Sequence, residues 1–192
     1  MADKNLYIIA GCNGAGKTSA SVTILPKILH CKEFANADAI AKGISPFNPE
    51  SVAVEAGRLM LQRIDFLLNE NNSFAIETTL ATKSYLSLVR RAQAKGYRVS
   101  IIFFWLNSPE LAIKRVAERV QHGGHNIPED IIRRRYVAGI NNLVRLFMPE
   151  VDYWAIYDNS EQSRCKIASG KKKSNADIFN IESFQKIKAY VR

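Results

Sequence analysis

Several features are scarce in this 192-residue sequence, and each absence excludes a class of protein. No run of apolar residues approaches the roughly eighteen that a transmembrane helix needs, so we expect no membrane span. The first residues, MADKNLYIIAG, have too short an apolar run and no small-residue cleavage pattern for a signal peptide, which favours a cytoplasmic protein. The three cysteines, Cys12, Cys31 and Cys165, are odd in number and have no CxxC spacing. We therefore expect reduced thiols, without disulfides or a cysteine-bound metal.

Positive charge is the property that the sequence has in excess. Lys and Arg number 27 against 18 Asp and Glu, which gives a net charge of +9. Such a balance fits either an ordinary soluble surface or an anionic partner, for example a nucleotide, a sugar nucleotide or nucleic acid. Much of the excess is local, in RRRY (133–136) and GKKKS (170–174). The second run is most simply a solvated turn, with contact to nucleic acid as the alternative.

Strand-like and helix-like stretches alternate along the chain, with no internal repeat and no low-complexity linker. The segments typical of strands are NLYIIAG, FANAD (34–38), FAIETT (74–79), RVSIIFFWL (98–106) and YWAIYDN (153–159). Apolar residues at helical spacing lie between them. This alternation predicts one α/β domain, residues 1–192, in which helices cover both faces of a five-stranded, mainly parallel sheet. Residues 161–192 are predicted to form an appendage, with an edge hairpin followed by a helix from about Ile181.

The sequence GCNGAGKT, residues 11–18, matches the pattern GxxxxGK(S/T) and lies between a predicted strand and a predicted helix. Its glycines allow successive backbone N–H groups to surround a phosphate, and the helix start adds the positive end of its dipole. We therefore predict that Lys17 reaches the β and γ phosphates of a nucleotide and that Thr18 ligates Mg²⁺. The residues predicted to bind ATP here are Gly11, Asn13, Gly14, Ala15, Gly16, Lys17, Thr18 and Ser19.

Two further absences narrow the class of phosphate-binding protein. The sequence has no NKxD motif, which GTPases use for guanine, and no LSGGQ motif, which marks ABC-type ATPases. Among small proteins with such a loop, the main class that remains is the phosphoryl-transfer kinases. The predicted fold is accordingly a Rossmann-like P-loop NTPase fold with three layers.

Carboxylates are predicted at the carboxyl edge of the sheet, where ligands of parallel sheets gather. Asp38 closes the segment NAD, and Glu77 closes a strand just before Thr78, so all three residues are predicted to bind substrate. Phosphoryl transfer needs one carboxylate to orient or deprotonate the acceptor hydroxyl, and a second can grip substrate or hold Mg²⁺ through water. The alternatives are structural. Asp38 could cap the AIAKGI turn, and Glu77 could have a role in the strand end.

An arginine-rich stretch, at about residues 115–136, is predicted to form a lid. The lids of small kinases close arginines on the transferring phosphoryl group and neutralise its developing charge. Arg119, Arg134 and Arg135 are the candidates here. The alternative is a solvated basic face.

A pair of glycines, Gly123 and Gly124, is predicted to be the hinge of this lid. His122 and His125 flank the pair, and no further residues at metal-ligand spacing accompany them. Both histidines are most simply loop residues, and His125 is the one predicted to touch substrate.

Taken together, these segments resemble the zeta toxin family of P-loop kinases, in particular its shorter members. The similarity covers residues 6–160 and lies in GCNGAGKT, FANADAIAKGISPFNPE with AGRLM, FAIETTL, RVAERVQHGGHNIPEDIIRRRY, GINNL and WAIYDNS. The resemblance implies an ATP-dependent kinase with a Rossmann-like P-loop fold. In the toxins proper, the acceptor is a sugar hydroxyl of UDP-N-acetylglucosamine.

The resemblance also implies roles for individual residues. Lys17 and Thr18 would bind the triphosphate and Mg²⁺. Asp38 would be the base that deprotonates the acceptor hydroxyl, and Glu77 would be a substrate-binding carboxylate. Arg119 would be the first catalytic arginine of the lid.

The second lid arginine would be Arg134 or Arg135, and Asn159 would meet the adenine. The chain departs from the toxins proper in its shorter length, its arginine spacing and its GGHNIP lid. These differences leave the phosphoryl-transfer residues intact and the identity of the acceptor open. Toxicity and an antitoxin-like protein partner do not follow from the motifs.

The leading hypothesis is a kinase that transfers the γ-phosphoryl group of Mg·ATP to a hydroxyl of a small metabolite, with a nucleotide sugar as the first candidate. One alternative, based on the net charge, is a polynucleotide 5′-hydroxyl kinase or an RNA-associated NTPase. Another is a non-catalytic nucleotide-binding module that acts through protein interactions.

Overall fold

A computed structural model describes residues 4–124, 126–161 and 163–191. The strands within these residues are Asn5–Gly11 (β1), Glu33–Ala35 (β2), Phe74–Thr78 (β3), Arg98–Trp105 (β4), Tyr153–Asp158 (β5), Cys165–Lys171 (β6) and Asp177–Ile178 (β7). The α-helices are Lys17–Lys27 (α1), Ala37–Ile44 (α2), Ala53–Asn69 (α3), Tyr85–Ala94 (α4), Pro109–Gln121 (α5), Glu129–Asn142 (α6) and Ile181–Ala189 (α7). A 3₁₀ turn spans Pro49–Val52, and a π-helical turn spans Leu143–Phe147.

The strands form one sheet in the order β2-β3-β1-β4-β5-β6-β7. The first five are parallel, which confirms the predicted parallel sheet. The sheet has seven strands rather than five because β6 and β7 continue it in antiparallel direction, as the predicted edge hairpin before α7. Helices α1, α3, α4, α6 and α7 pack on the sheet, and α2 packs on α3. No helix among the described residues has the length and apolar character to cross a membrane.

Strand register brings the candidate residues to one edge of this sheet. β1 lies between β3 and β4, where Ile9 is paired with Glu77 and Gly11 with Phe104. Ile8 and Ile9 of β1 point to opposite faces of the sheet and are both fully buried, as expected for a strand covered on both faces. Because all three strands run the same way, the loop after Gly11 and the carboxylate of Glu77 lie side by side at the carboxyl edge.

The start of α2 differs from the predicted boundary. β2 ends at Ala35, and Asn36 caps α2 through its side-chain oxygen, which accepts hydrogen bonds from the backbone N–H groups of Asp38 (2.8 Å) and Ala39 (3.2 Å). The prediction that Asp38 closes the strand was therefore wrong by three residues. The alternative that Asp38 caps the turn was also wrong, because the cap is Asn36. Asn and Asp are equally good caps, so the sequence alone could not choose between the two.

Helix α6 is fastened to the loops that follow β3 and β4. The hydroxyl of Tyr136 donates to the carbonyl of Leu106 (2.6 Å), and the amide of Asn142 donates to the carbonyl of Leu80 (2.9 Å). Gly139 lies so close to the β3 loop that a Cβ there would be 2.6 Å from the carbonyl oxygen of Thr79. After Asn142 the helix continues as the π-helical turn Leu143–Phe147, and its apolar residues Ile132, Tyr136, Ile140, Leu143 and Phe147 are all buried.

The GKKKS run forms the turn between β6 and β7. Because β6 is antiparallel to β5 and Lys171 is paired with Tyr153, this turn lies at the edge of the sheet opposite to the carboxyl edge. Lys172 lies 3.7 Å from the carboxylate of Glu150, so one of the three lysines has an acidic partner. The run is therefore remote from the candidate active site.

The close approach of Gly139 predicts opposite effects for two glycine-to-alanine substitutions in helices. A Cβ at Gly57 in α3 would meet nothing within 4 Å, so Gly57→Ala should raise the free energy of unfolding by about 0.5–1 kcal/mol through helix propensity. Gly139→Ala should lower it by about 1–3 kcal/mol because the methyl group collides with backbone. Urea unfolding of both variants checks this, and equal stabilisation by the two would show that α6 does not pack against Thr79 as described.

Candidate active site

The loop between β1 and α1 is held in a curved conformation. Gly16, the N-cap of α1, has a φ of 74°, which favours glycine, and a Cβ there would lie 2.7 Å from the side-chain nitrogen of Asn159. Lys17 is buried, and its Nζ donates a hydrogen bond to the carbonyl of Cys12 (2.9 Å). The lysine thus lies across the loop, the position from which it can reach a phosphate held by the loop.

Glu77 contacts three other side chains of the site. Its two carboxylate oxygens accept the hydroxyl of Thr18 at 3.0 and 2.9 Å, and one accepts the amide of Asn36 at 2.8 Å. Nζ of Lys17 lies 3.9 Å from the other oxygen. The side chains of Glu77 and Lys17 are only 9% and 8% exposed, so this ion pair is largely withdrawn from water.

Burial pushes both members of this pair toward their neutral forms. It raises the pKa of Glu77, while the charge of Lys17 and the hydroxyl of Thr18 act in the opposite direction. It lowers the pKa of Lys17, while Glu77 acts in the opposite direction. Each charge therefore depends on the other, and an anionic ligand in the loop would favour the ammonium form of Lys17.

Two cavities meet at this edge of the sheet. The first, here called the loop cavity, has a volume of about 190 Å³ and is lined by Asn13, Gly14, Gly16, Lys17, Thr18, Ser19, Asp38, Glu77, Arg115 and Arg119. The second, the outer cavity, has a volume of about 390 Å³ and is lined by Thr18, residues 36–39, Ala41, Lys42, Pro49, Glu50, Ala53, Arg119 and residues 122–124. Thr18, Asp38 and Arg119 line both cavities, so these three residues form a common wall.

The structure brings most of the predicted loop residues to the loop cavity. The residues that do not line it are Gly11, at the end of β1, Ala15, which is fully buried, and Asn159. Asn159 instead stabilises the loop conformation, because its side-chain amide donates a hydrogen bond to the carbonyl of Ala15 (2.8 Å). The roles of these residues toward a nucleotide stay predictions.

The predicted lid arginines differ in their surroundings. Arg119 is on the common wall, and Arg135 approaches the loop, with Nη1 at 3.4 Å from the side-chain oxygen of Asn13. Arg134 is exposed and lines neither cavity. Arg133, in the same run, is paired with Glu110 on α5.

Two of the predicted substrate-binding residues lie outside the cavities or outside the described residues. The hydroxyl of Thr78 accepts the backbone N–H of Leu80 (3.0 Å), which forms a local turn at the end of β3. Thr78 lines neither cavity. His125 is not among the residues that the structure describes, so its contact with substrate stays a prediction.

Sequence reasoning missed a network around Arg115. Its guanidinium donates to the carbonyls of Asn159 (2.7 Å) and Ser160 (2.8 Å), and the side-chain oxygen of Asn159 accepts from Arg164 (3.0 Å). The network joins α5, the loop after β5 and the phosphate-binding loop. The spacing of Arg115 and Arg119 on one helix was the available signal, but nothing in the sequence showed that Arg115 bonds to backbone carbonyls.

Oxygen ligands for a magnesium ion are present in the loop cavity. The Thr18 hydroxyl and the Glu77 carboxylate are in direct contact, and hard cations such as Mg²⁺ prefer oxygen ligands with several waters retained. Among the described residues there is no cluster of three or more His, Cys, Asp or Glu side chains suited to a metal. The donor set thus fits an ion that is shared with a nucleotide and does not resemble an all-protein metal site.

A parallel sheet, a glycine-rich loop at the end of its first strand, and a buried lysine at the start of the next helix define a P-loop NTPase fold. The chain belongs to the zeta toxin family, which it matches over residues 2–165. An uncharacterised protein of Haemophilus influenzae is 30% identical over 136 residues, which are 71% of this chain and 94% of that protein.

Solved structures show the same fold at low sequence identity. A chain of the AvrRxo1-ORF1–AvrRxo1-ORF2 complex with ATP superposes with a TM-score of 0.76 and 16% identity. The match covers 97% of this chain but only 64% of that one. A structure from the PezAT chromosomal toxin–antitoxin system of Streptococcus pneumoniae gives a TM-score of 0.71 and 17% identity, over 100% of this chain and 79% of that one.

The three cysteines should differ sharply in reactivity. Burial raises the pKa of the Cys12 thiol to about 11, so at pH 8 only about one thiol in a thousand is the reactive thiolate. Cys31 is also buried, whereas Cys165 is exposed. We expect iodoacetamide to add one group to the native chain, at Cys165, and three groups in urea.

Mass spectrometry of labelled peptides checks this expectation. A Cys165→Ser variant is the control, because it should take up no label while folded. Rapid labelling of Cys12 in the folded protein would contradict the burial of its thiol.

Proposed function

We propose that the protein is a kinase that transfers the γ-phosphoryl group of Mg·ATP to a hydroxyl of a small metabolite. The observation that carries this proposal is the common wall of Thr18, Asp38 and Arg119 between the two cavities. A phosphoryl-transfer site needs a phosphate-binding compartment, an acceptor compartment, and a carboxylate and a cation where they meet. The two cavities and their common wall would supply these parts.

The loop cavity is proposed to hold the triphosphate. The backbone N–H groups of residues 13–16 and the start of α1 would surround the phosphates, and Lys17 would contact the β and γ groups. Thr18 would ligate magnesium, with Glu77 behind it, and the ion would neutralise charge on the phosphates. The AvrRxo1 complex solved with ATP has the same fold, which supports ATP as the nucleotide.

Asp38 is proposed to be the general base. Its position on the common wall lets its carboxylate contact a hydroxyl in the outer cavity, and Asn36 rather than Asp38 serves as the helix cap. The acceptor oxygen would form a bond to the γ-phosphorus while the bond from phosphorus to the β–γ bridging oxygen breaks. The hydroxyl proton would pass to Asp38, and ADP would leave with the bridging oxygen.

Arg119 is proposed to stabilise the charge that develops on the transferring group. It lines both cavities. Burial is the largest cause of the lowered pKa of Lys17, and the charge of Arg119 lowers this pKa further, while Glu77, Cys12 and Asp38 raise it. Lys17 and Arg119 both line the loop cavity, where the two cations would act on the same phosphoryl group. A cation fixed at this position acts most strongly in the transition state, when the charge spreads over the phosphoryl oxygens.

The outer cavity is proposed to bind the acceptor. Half of its lining residues are alanine, proline or glycine, which leaves room for the body of a ring-containing molecule. Lys42 and Glu50 supply polar groups on the walls formed by α2 and the 3₁₀ turn. Membership of the zeta toxin family makes a nucleotide sugar such as UDP-N-acetylglucosamine the first acceptor to test.

The two-cavity arrangement predicts that Lys17→Ala and Asp38→Asn abolish transfer for different reasons. Lys17→Ala should remove nucleotide binding and transfer together, whereas Asp38→Asn should keep nucleotide affinity within about threefold and lose turnover by at least about a hundredfold, since it removes only the base. Mg·ATP with UDP-N-acetylglucosamine, and then with a metabolite extract, followed by mass spectrometry for phosphorylated products, measures transfer. Calorimetry measures nucleotide affinity.

Glu70→Gln is the matched control, because Glu70 is an exposed carboxylate at the end of α3 that lines neither cavity. Circular dichroism confirms folding of each variant. Full turnover in folded Asp38→Asn would refute the assignment of the base, and ATP binding by wild type without transfer to any acceptor would favour a non-catalytic module.

Alanine substitutions of the three candidate lid arginines, Arg119, Arg134 and Arg135, should lower kcat to different extents. Arg119→Ala should lower kcat by about 10²–10³-fold with a smaller change in KM, because its charge acts in the transition state. Arg135→Ala should cost more than Arg134→Ala, since only Arg135 contacts the loop residue Asn13. Steady-state kinetics of the three variants test this order, and a change confined to KM for Arg119→Ala would mean ground-state binding instead.

A further inference from the structure

Helix α5 ends at Gln121, two residues after Arg119, and a turn with glycines at 123 and 124 follows. The N–H of Gly123 donates to the carbonyl of Val120 (3.0 Å), and the N–H of Gly124 donates to the carbonyl of Arg119 (2.9 Å). Gly123 has a φ of 77°, so the turn is a Schellman motif with its left-handed residue at 123. Such a motif needs one glycine, at 123. Gly124 has no positive φ that would favour glycine, so its glycine has to be explained by the atoms that surround it.

Gly124 packs against Arg119 itself. A Cβ at 124 would lie 2.5 Å from Cγ and 3.1 Å from Cδ of Arg119, and 2.7 Å from its carbonyl oxygen. Carbon atoms in contact are normally about 3.5–4.0 Å apart, so a side chain at 124 and the present path of the Arg119 stem exclude each other. By contrast, a Cβ at Gly123 would meet nothing within 4 Å.

The same two residues meet at the outer cavity. Gly124 and Arg119 both line it, and Arg119 extends to the loop cavity beside Lys17 and Asp38. The Arg119 stem therefore lies between the turn and the common wall. A displacement at Cγ is carried along the side chain to the guanidinium, where an error of about 1 Å is enough to cost about a hundredfold in rate.

We propose that Gly124 is a positioning residue for Arg119: the missing side chain at 124 lets the arginine stem lie against the end of α5 and directs the guanidinium to the common wall. This inference rests on the proposed function, since it assigns Gly124 a role through the arginine that acts on the phosphoryl group. Together with the carbonyl oxygen of Arg119, which a Cβ at 124 would approach to 2.7 Å, the arginine stem accounts for the second glycine of the turn.

The first test is a double-mutant cycle of Gly124→Ala, Arg119→Ala and the double variant. The readout is calorimetric affinity for ADP with aluminium fluoride, which mimics the transferring phosphoryl group, compared with ADP alone. We expect Gly124→Ala to weaken binding of the mimic about tenfold or more, while ADP alone is bound almost as by wild type. In the Arg119→Ala background, Gly124→Ala should have no further effect.

The second test uses thermal stability, which does not depend on any activity. Arg119→Ala removes Cγ and Cδ, the side-chain atoms that a Cβ at 124 would meet, so it should recover part of the stability that Gly124→Ala loses. Gly57→Ala is the matched control, because it adds the same methyl group where nothing lies within 4 Å. It should show no coupling with Arg119→Ala in either test.

The outcomes separate the two proposals. Wild type that binds neither ADP nor the mimic would overturn the proposed function. Wild type that binds both, with losses from Gly124→Ala and Arg119→Ala that multiply in the double variant, would overturn only the role of Gly124. If Gly124→Ala does not fold alone, folding of the double variant supports the contact, and failure of both to fold overturns it.

Discussion

The contact of Glu77 with Thr18 and Lys17 is the interaction on which the rest of the site depends. It exists because β3 pairs with β1 in parallel register, with Glu77 opposite Ile9, two residues before the loop begins. A shift of one residue would turn the carboxylate to the other face of the sheet, away from the loop. The hydrogen bonds of 3.0 and 2.9 Å to Thr18 are therefore a consequence of how the core strands pair.

This contact has a cost in stability. Two charges that are each more than nine-tenths withdrawn from water lose hydration, and their mutual attraction offsets this loss only in part. The opposite shifts of the pKa values of Lys17 and Glu77 both have burial as their largest cause, which reflects the same cost. A bound polyphosphate would supply negative charge beside Lys17, and its metal ion would supply positive charge beside Glu77. An arrangement that is unfavourable in the apo protein is expected where binding energy is available to compensate for it.

The fold and the loop could be predicted because their signals are local. A run such as RVSIIFFWL indicates a buried strand, and GCNGAGKT requires a strand before it and a helix after it, whatever the rest of the chain does. The position of Glu77 could be predicted because ligands of parallel sheets gather at the carboxyl ends of the strands, where this residue lies. By contrast, Arg115 bonds to carbonyls about 45 residues away in sequence, and no local pattern reports such a contact.

The error at Asp38 has a different physical origin. Asn36 and Asp38 can both cap a helix, and the choice between them depends on what else each side chain can reach. Asn36 uses its oxygen for the backbone of α2 and its nitrogen for Glu77, which a carboxylate could not do because it has no hydrogen to donate.

One amide therefore connects the carboxylate beside the loop to the first turn of α2. Any movement of Glu77 would be transmitted through Asn36 to the backbone N–H of Asp38, which is only 2.8 Å from the asparagine oxygen. The buried Asn36 contacts both Glu77 of the loop cavity and the backbone of Asp38, so it fixes the position of the proposed base relative to that cavity. An aspartate at 36 would place a second carboxylate against Glu77, and the repulsion would separate the two halves of the site.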